Sequence, residues 1–335
     1  MRYLVDPRCF QPLRVKGDVQ DEVENLIERG LFIEAAVKAQ KDILALGPNT
    51  SDYRNVFKSW HFRLQSLVLA GYEKQAAEEA RFLGDLDSEK YRLDLLTSVV
   101  PWDLRLLVTS LQVKGDGSAT FAKLYAMARE CRVDAHLAEE RAKISETALS
   151  SPIVVDSVTS EIWESRLREL ALFVTFTLVR LGDVEAAISH LKNVHRTAQN
   201  GSEADKQFGT RIVPLIALLY LHMGSTDSAR ELFTEYSQAY KAEFAESLYA
   251  VIDGDWPEAE KLLQKCLEGE TEGIDEDSTR IKNNLAVSLF YQGKLDGAWE
   301  LFNDIGKEQD ASPVSLKNLF KLRELLQRPE VIATA

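Results

Sequence analysis

Apolar residues recur at three- and four-residue spacing through almost every long segment of this chain, with helix-forming residues between them. The alternating Val, Ile, Thr and aromatic pattern of strands is nearly missing, so the pattern predicts an all-α fold. Three polar stretches interrupt it: 150–160 (SSPIVVDSVTS), 197–206 (TAQNGSEADK) and 268–279 (EGETEGIDEDST). Each is predicted to separate two helical blocks. The expected organisation is an irregular segment over 1–17, helical hairpins over 18–150, a linker over 151–160, a regular array over 161–328 and a tail over 329–335.

A second pattern lies inside the helical one. Gly293 is followed by Leu295, Ala298 and Phe302, and the same spacing returns after Gly182 (Val184, Ala187, Leu191), Gly224 (Ala229, Phe233) and Gly254 (Trp256, Ala259, Leu263). In the first half Gly30 leads to Phe32 and Ala35, Gly71 to Ala76 and, more weakly, Gly115 to Thr120 and Leu124. The glycine is expected to end one helix and turn the chain. Small residues seven before and five after it then face each other: Ala286 with Ala298, Ala217 with Ala229, Ser247 with Ala259, Thr175 with Ala187. Small side chains there let antiparallel helices approach at the short end of the usual interaxial range of roughly 8–10 Å. Val23 and Leu64 are bulkier, so the N-terminal hairpins are expected to be irregular. This is the tetratricopeptide-repeat pattern of about 34 residues per unit. Spacing departs from it: Gly224 to Gly254 is 30 residues and Gly115 to Gly182 is 67, which implies an extended helix and loop in the longer interval. Stacked hairpins of this kind make a right-handed superhelix whose concave face, lined by the first helix of each pair, binds peptides, helices or subunits.

Composition adds little to the fold and more to the partners. With 45% hydrophobic and 28% charged residues the chain of 335 can fold, and its net charge of -13 provides neither the basic surface that nucleic acid requires nor one for an anionic membrane. No run of 18 apolar residues exists, and the first 18 residues do not read as a signal peptide. Cys9, Cys131 and Cys266 are far apart and form neither a disulfide framework nor a zinc spacing, which points to the reducing cytosol. His190 and His195 are five apart, the wrong interval for two ligands on one helix face, and GDGSAT (115–120) reads as a plain turn. No nucleophile elbow, metalloprotease helix or calcium loop is present, so no catalytic residue, metal or cofactor is predicted. The acidic stretch 268–277 reads as a solvated loop or a strip for a basic partner.

Binding is the remaining class. Arg280 and Asn284 sit where one repeat could help hold a partner's C-terminal carboxylate, and Asn283 and Tyr291 complete the candidate partner-binding set. The preceding unit offers Phe244 and Leu248 where basic and amide side chains would complete such a clamp, so a soluble adaptor or co-chaperone is the second reading, and an inter-helix hydrogen bond is an equally good role for Asn284. Trp60 and Trp163 each open a Trp-x-x-Arg-Leu phrase (WHFRL, WESRL), and at helical spacing they and Trp256 read as packing residues. The segment through Leu13, broken by Pro7 and Pro12, either docks or frays.

Several phrases together resemble the subunit 12 family of the trafficking protein particle (TRAPP) complexes. They are WHFRLQSLVLAGYEKQAAEEARFLGDLD (60–87), VPWDLRLLVTSLQ (100–112), IWESRLRELALFVTFTLVRLGDVEAAISHL (162–191) and NNLAVSLFYQGKLDGAWELF (283–302), in order within roughly 18–326. The resemblance implies a non-catalytic scaffold in a TRAPP III-type vesicle-tethering complex acting in endoplasmic reticulum to Golgi transport and autophagy. It implies large subunits 8 and 11 and the complex core as neighbours, and exchange activity on a Rab1-type GTPase residing in other subunits. It also implies a cytoplasmic protein, peripheral at the ER-Golgi intermediate compartment and Golgi, that meets membrane only through the complex.

Overall fold

The computed structural model describes residues 2–13, 21–47, 50–91, 98–113, 117–147, 159–235, 242–268, 275–307 and 312–326. These are helical, without a β-strand among them: α1 Val23–Glu28, α2 Phe32–Leu46, α3 Tyr53–Leu69, α4 Glu73–Ala80, α5 Trp102–Leu111, α6 Ser118–Thr147, α7 Ser160–Arg180, α8 Val184–Ala198, α9 Glu203–His222, α10 Thr226–Glu235, α11 Ala242–Asp253, α12 Trp256–Glu268, α13 Asp275–Tyr291, α14 Leu295–Ile305 and α15 Pro313–Leu326. Most of the expected linker, the expected tail, Gly115 and the middle of the acidic stretch lie outside the described residues.

Local chemistry sets the helix ends. Thr159 and Asp183 cap α7 and α8 by accepting from the amides of Ile162 and Ala186. Ser202 and Asp205 cap α9 reciprocally, each side chain accepting from the other's amide at 3.2 and 3.0 Å. The turns explain the glycine spacing. Gly30, Gly71, Gly182, Gly224, Gly254 and Gly293 all have φ between +69° and +85°, a region that only glycine enters without strain. At Gly293 the amide bonds Phe290 O and the next amide, of Lys294, bonds Leu289 O, and the other five turns repeat this pair of bonds. Gly47 and Gly84 also have positive φ, so the left-handed conformation alone does not mark a repeat. Gly117 also has a positive φ, and a Cβ there would fall 2.5 Å from Leu181 Cδ1.

The chain forms two compact units that interleave in sequence: Met1–Pro12, Ala39–Gln65 and Glu73–Leu219 in the first, Leu13–Lys38, Ser66–Tyr72 and Tyr220–Ala335 in the second. In the first, α6 packs along α7 and α7 along α8, around a core that includes Trp102, Leu124, Cys131, Trp163 and Leu170. The 30 residues of α6 account for much of the long Gly115 to Gly182 interval. Thr175 and Ala187 are both buried, and the Thr175 hydroxyl is satisfied by donating to Ala171 O at 2.9 Å.

In the second unit α11 to α15 pack on one another in chain order, and Ser247, Ala259, Ala286 and Ala298 are fully buried. Helix α15 uses two faces. Leu319 and Leu322 join the core of α12 to α14, while Leu316 and Phe320 pack on Phe32 and Ala70 from the start of the chain. Lys321 Nζ donates to Ala70 O at 3.2 Å and Arg323 Nη2 to Gly30 O at 3.0 Å. Both carbonyls lie just past helix C-termini, where the backbone dipole favours a cation. Stacked hairpins packed in chain order are the architecture of an α-solenoid.

Candidate interaction surfaces

The tryptophan phrases belong to the interior of the first unit. Trp60 is fully buried, its Nε1 donates to Leu4 O at 2.9 Å and its ring stacks on Phe10 at 4.9 Å. One turn along, buried Arg63 donates to Glu79 at 2.7 and 2.9 Å and to Gln11 O at 3.1 Å. Spacing of three puts both side chains on one face, so the motif is a clamp that docks residues 4–11 on α3 and α4. In the second phrase Trp163 meets Trp102 edge to face at 6.2 Å, and the Arg166 guanidinium lies over both rings at 4.4 and 5.0 Å. Arg105 beside them bonds Asp87 and Glu130, each at 2.6 Å.

Sequence reasoning missed Arg63, Glu79, Asp87 and Arg105 as partners. The signal was present in part: Asp87 closes the first quoted phrase and Arg105 lies in the second, yet nothing local joins them. This cluster has little chemistry to offer. Burial pushes the Cys131 thiol up to about 12, so it is a protonated apolar group. His190 and His195 each tie α8 to a neighbour, Nε2 to Ala171 O at 3.1 Å and Nδ1 to Gly209 O at 2.8 Å. Among the described residues no three His, Cys, Asp or Glu side chains are placed to hold a metal, and no helix is long and apolar enough to cross a membrane.

The four candidate partner residues all lie on α13. Arg280 is exposed near its start. Asn283 donates to Asn284 Oδ1 at 3.3 Å and accepts from Asn318 of α15 at 3.1 Å, so the inter-helix bond falls to Asn283 and not Asn284. Tyr291 lies eight residues beyond Asn283, about 12 Å along the axis. It is 60% exposed and stacks on Trp256 at 4.4 Å with the rings 9° from parallel. Below that stack Glu260 accepts from Gln292 at 2.8 Å and Lys294 at 2.6 Å, and the Lys294 bond leads in holding its carboxyl below the usual range.

Exposed apolar side chains are distributed unevenly. From α7 to α14 the large ones lie on the first helices of the pairs: Ile162 and Phe176 on α7, Leu215 and Leu218 on α9, Ile252 on α11 and Tyr291 on α13. Apart from Met223 in a turn, none lies on α8, α10, α12 or α14 among the described residues. Scattered single apolar residues need no explanation; within each unit taken by itself, these lie on the first member of the pair. Compared with known proteins, the chain matches no family model and no curated protein.

Proposed function

We propose that this chain is a non-catalytic scaffold subunit of a TRAPP III-type tethering complex, holding other subunits through the surface of its helical repeats. The observation that carries the reading is the set of phrases similar to subunit 12, whose most distinctive residues, Trp60, Arg63, Trp163 and Arg166, fall into two buried or half-buried Trp–Arg clamps. Exposed apolar residues on α7 and α9 of the first unit, Phe176, Leu215 and Leu218, support this reading by offering such a scaffold an apolar surface. On this reading the large subunits 8 and 11 and the complex core are its neighbours, nucleotide exchange on a Rab1-type GTPase belongs to other subunits, and its place in the cell is the cytoplasmic side of ER-Golgi membranes, reached through the complex.

Size-exclusion co-elution tests it. The purified chain is expected to shift into the complex with a preparation that contains subunits 8 and 11, and to elute free when they are omitted. Free elution in both cases at low micromolar concentration would remove the family assignment and leave a helical-repeat protein with other partners.

A further inference from the structure

We propose that the exposed faces of α7 and α9 form one docking surface for an amphipathic helix whose apolar side is flanked by carboxylates. The inference deepens the scaffold reading by giving the chemistry of one partner segment.

The two faces are neighbours. Helix α8 reverses the chain between α7 and α9, with His190 bonded to the one and His195 to the other, so α7 and α9 run in the same direction. Arg168 of α7 and Asp205 of α9 are joined at 2.8 Å. At about 100° per residue, Arg168 is about 80° to one side of Phe176 and Asp205 about 80° to the opposite side of Leu215. Two parallel helices joined by those flanks present Phe176 and Leu215 to the same side. The levels agree as well: Phe176 lies eight residues past Arg168 and Leu215 ten past Asp205, about 12 and 15 Å.

What the surface offers is apolar in the middle and cationic around it. Phe176 is 67% exposed, and Leu215 and Leu218 are 39% and 42% exposed. Arg180 and Arg211 are exposed on the same two stripes. Arg166, ten residues from Phe176, is half-buried over the Trp102 and Trp163 rings and feels the Asp103 and Glu130 carboxylates, so it belongs to the interior clamp rather than to this patch. Of the carboxylates near the α7 stripe, Glu161 lies at the far start of the helix, and Glu169 is half-buried, accepts from Trp102 Nε1 at 2.9 Å and is pushed toward its neutral form by burial. In a chain of net charge -13, an exposed apolar patch edged by the exposed guanidinium groups of Arg211 and of Arg180, the latter also donating to Ser110 O at 3.1 Å, is matched by leucine-like anchors with Glu or Asp beside them. A basic helix would meet like charge, and nucleic acid would leave the apolar centre unused.

Two labelled 20-residue helical peptides test this against the full chain by fluorescence anisotropy: one with leucines at i, i+3, i+7 and i+10 flanked by Glu, the other identical but with Lys for Glu. The Glu peptide is expected to bind at least about tenfold more tightly, and raising salt should narrow the gap. Phe176→Ser should weaken it by about tenfold or more. Arg211→Glu should narrow the Glu-over-Lys preference by strengthening the Lys peptide while weakening the Glu peptide, which a folding defect cannot do. Equal binding of both peptides, binding that survives Phe176→Ser, or no binding of the Glu peptide at about 1 mM would overturn the proposal. Self-association of the chain alone that Phe176→Ser abolishes would also overturn it, by giving the face to a second copy. No TRAPP subunit enters the experiment, so its failure leaves the scaffold reading to its own co-elution test.

Discussion

The two compact units are built on different physics. In the first, specificity comes from buried charge: Arg63 with Glu79, both essentially inaccessible, and Arg105 with Asp87 and Glu130. In the second, it comes from small residues at helix crossings and a tight apolar core of Leu263, Ala286, Ala298, Phe302 and Ile305, while ion pairs such as Lys265 with Glu243 are largely solvated and Lys294 with Glu260 is half-exposed on its lysine side. A buried pair confers register at a desolvation cost, since only one geometry satisfies it. A small-residue crossing confers register through shape. The sequence follows this in part: the strong repeat turns at Gly224, Gly254 and Gly293 lie in the second unit, while the buried Arg63–Glu79 pair lies among the irregular N-terminal hairpins.

The comparison can be broken most severely at Arg63. Arg63→Met leaves Glu79 charged and buried without its partner, and is expected to cost about 3–5 kcal/mol, with Arg63→Met/Glu79→Met recovering most of it. Urea denaturation of the three chains measures this. A single variant as stable as the parent would remove the buried pair from the account of the first unit. Next in size, Ala298→Leu should overpack the α13–α14 crossing and cost about 1–3 kcal/mol, with hydrogen exchange rising in 275–307.

A smaller effect separates the units by pH. Burial holds His61 and His190, both in the first unit, below their ordinary value of 6.5; Asp103 acts weakly in the other direction on His61, as does the Ala171 carbonyl on His190. The folded state therefore disfavours the proton. Above pH 6.5 both states are neutral at these sites; as pH falls below 6.5 the unfolded chain takes up protons first and stability declines. His61→Asn/His190→Asn should flatten that decline in a thermal-melt series from pH 7 to 5. The smallest change is expected from Lys265→Ala, whose pair with Glu243 is mostly solvated: within about 0.5 kcal/mol.

Most of the helical framework was legible because its signals are local. A left-handed turn favours glycine, so Gly182, Gly254 and Gly293, each with an alanine five residues on, announce the hairpins locally. Long-range polar partners have no such signature. Glu79 in QAAEEA looks like any solvated carboxylate, and nothing near Arg323 hints that it reaches Gly30 O, 293 residues away in sequence. For the same reason the bond from Asn318 of α15 to Asn283 was not legible, because neither helix encodes it alone. The apolar face of α7 and α9 was hidden as well, because Phe176 reads as core until its exposure is known.

The central claim is that the chain works by holding a partner on the first helices of its repeats. Hydrogen exchange by mass spectrometry on the full chain, alone and with a TRAPP preparation containing subunits 8 and 11, tests it most directly. The account predicts slowed exchange in peptides covering 170–180 and 208–219. Unchanged exchange there, or protection confined to α8, α10, α12 and α14, would contradict it.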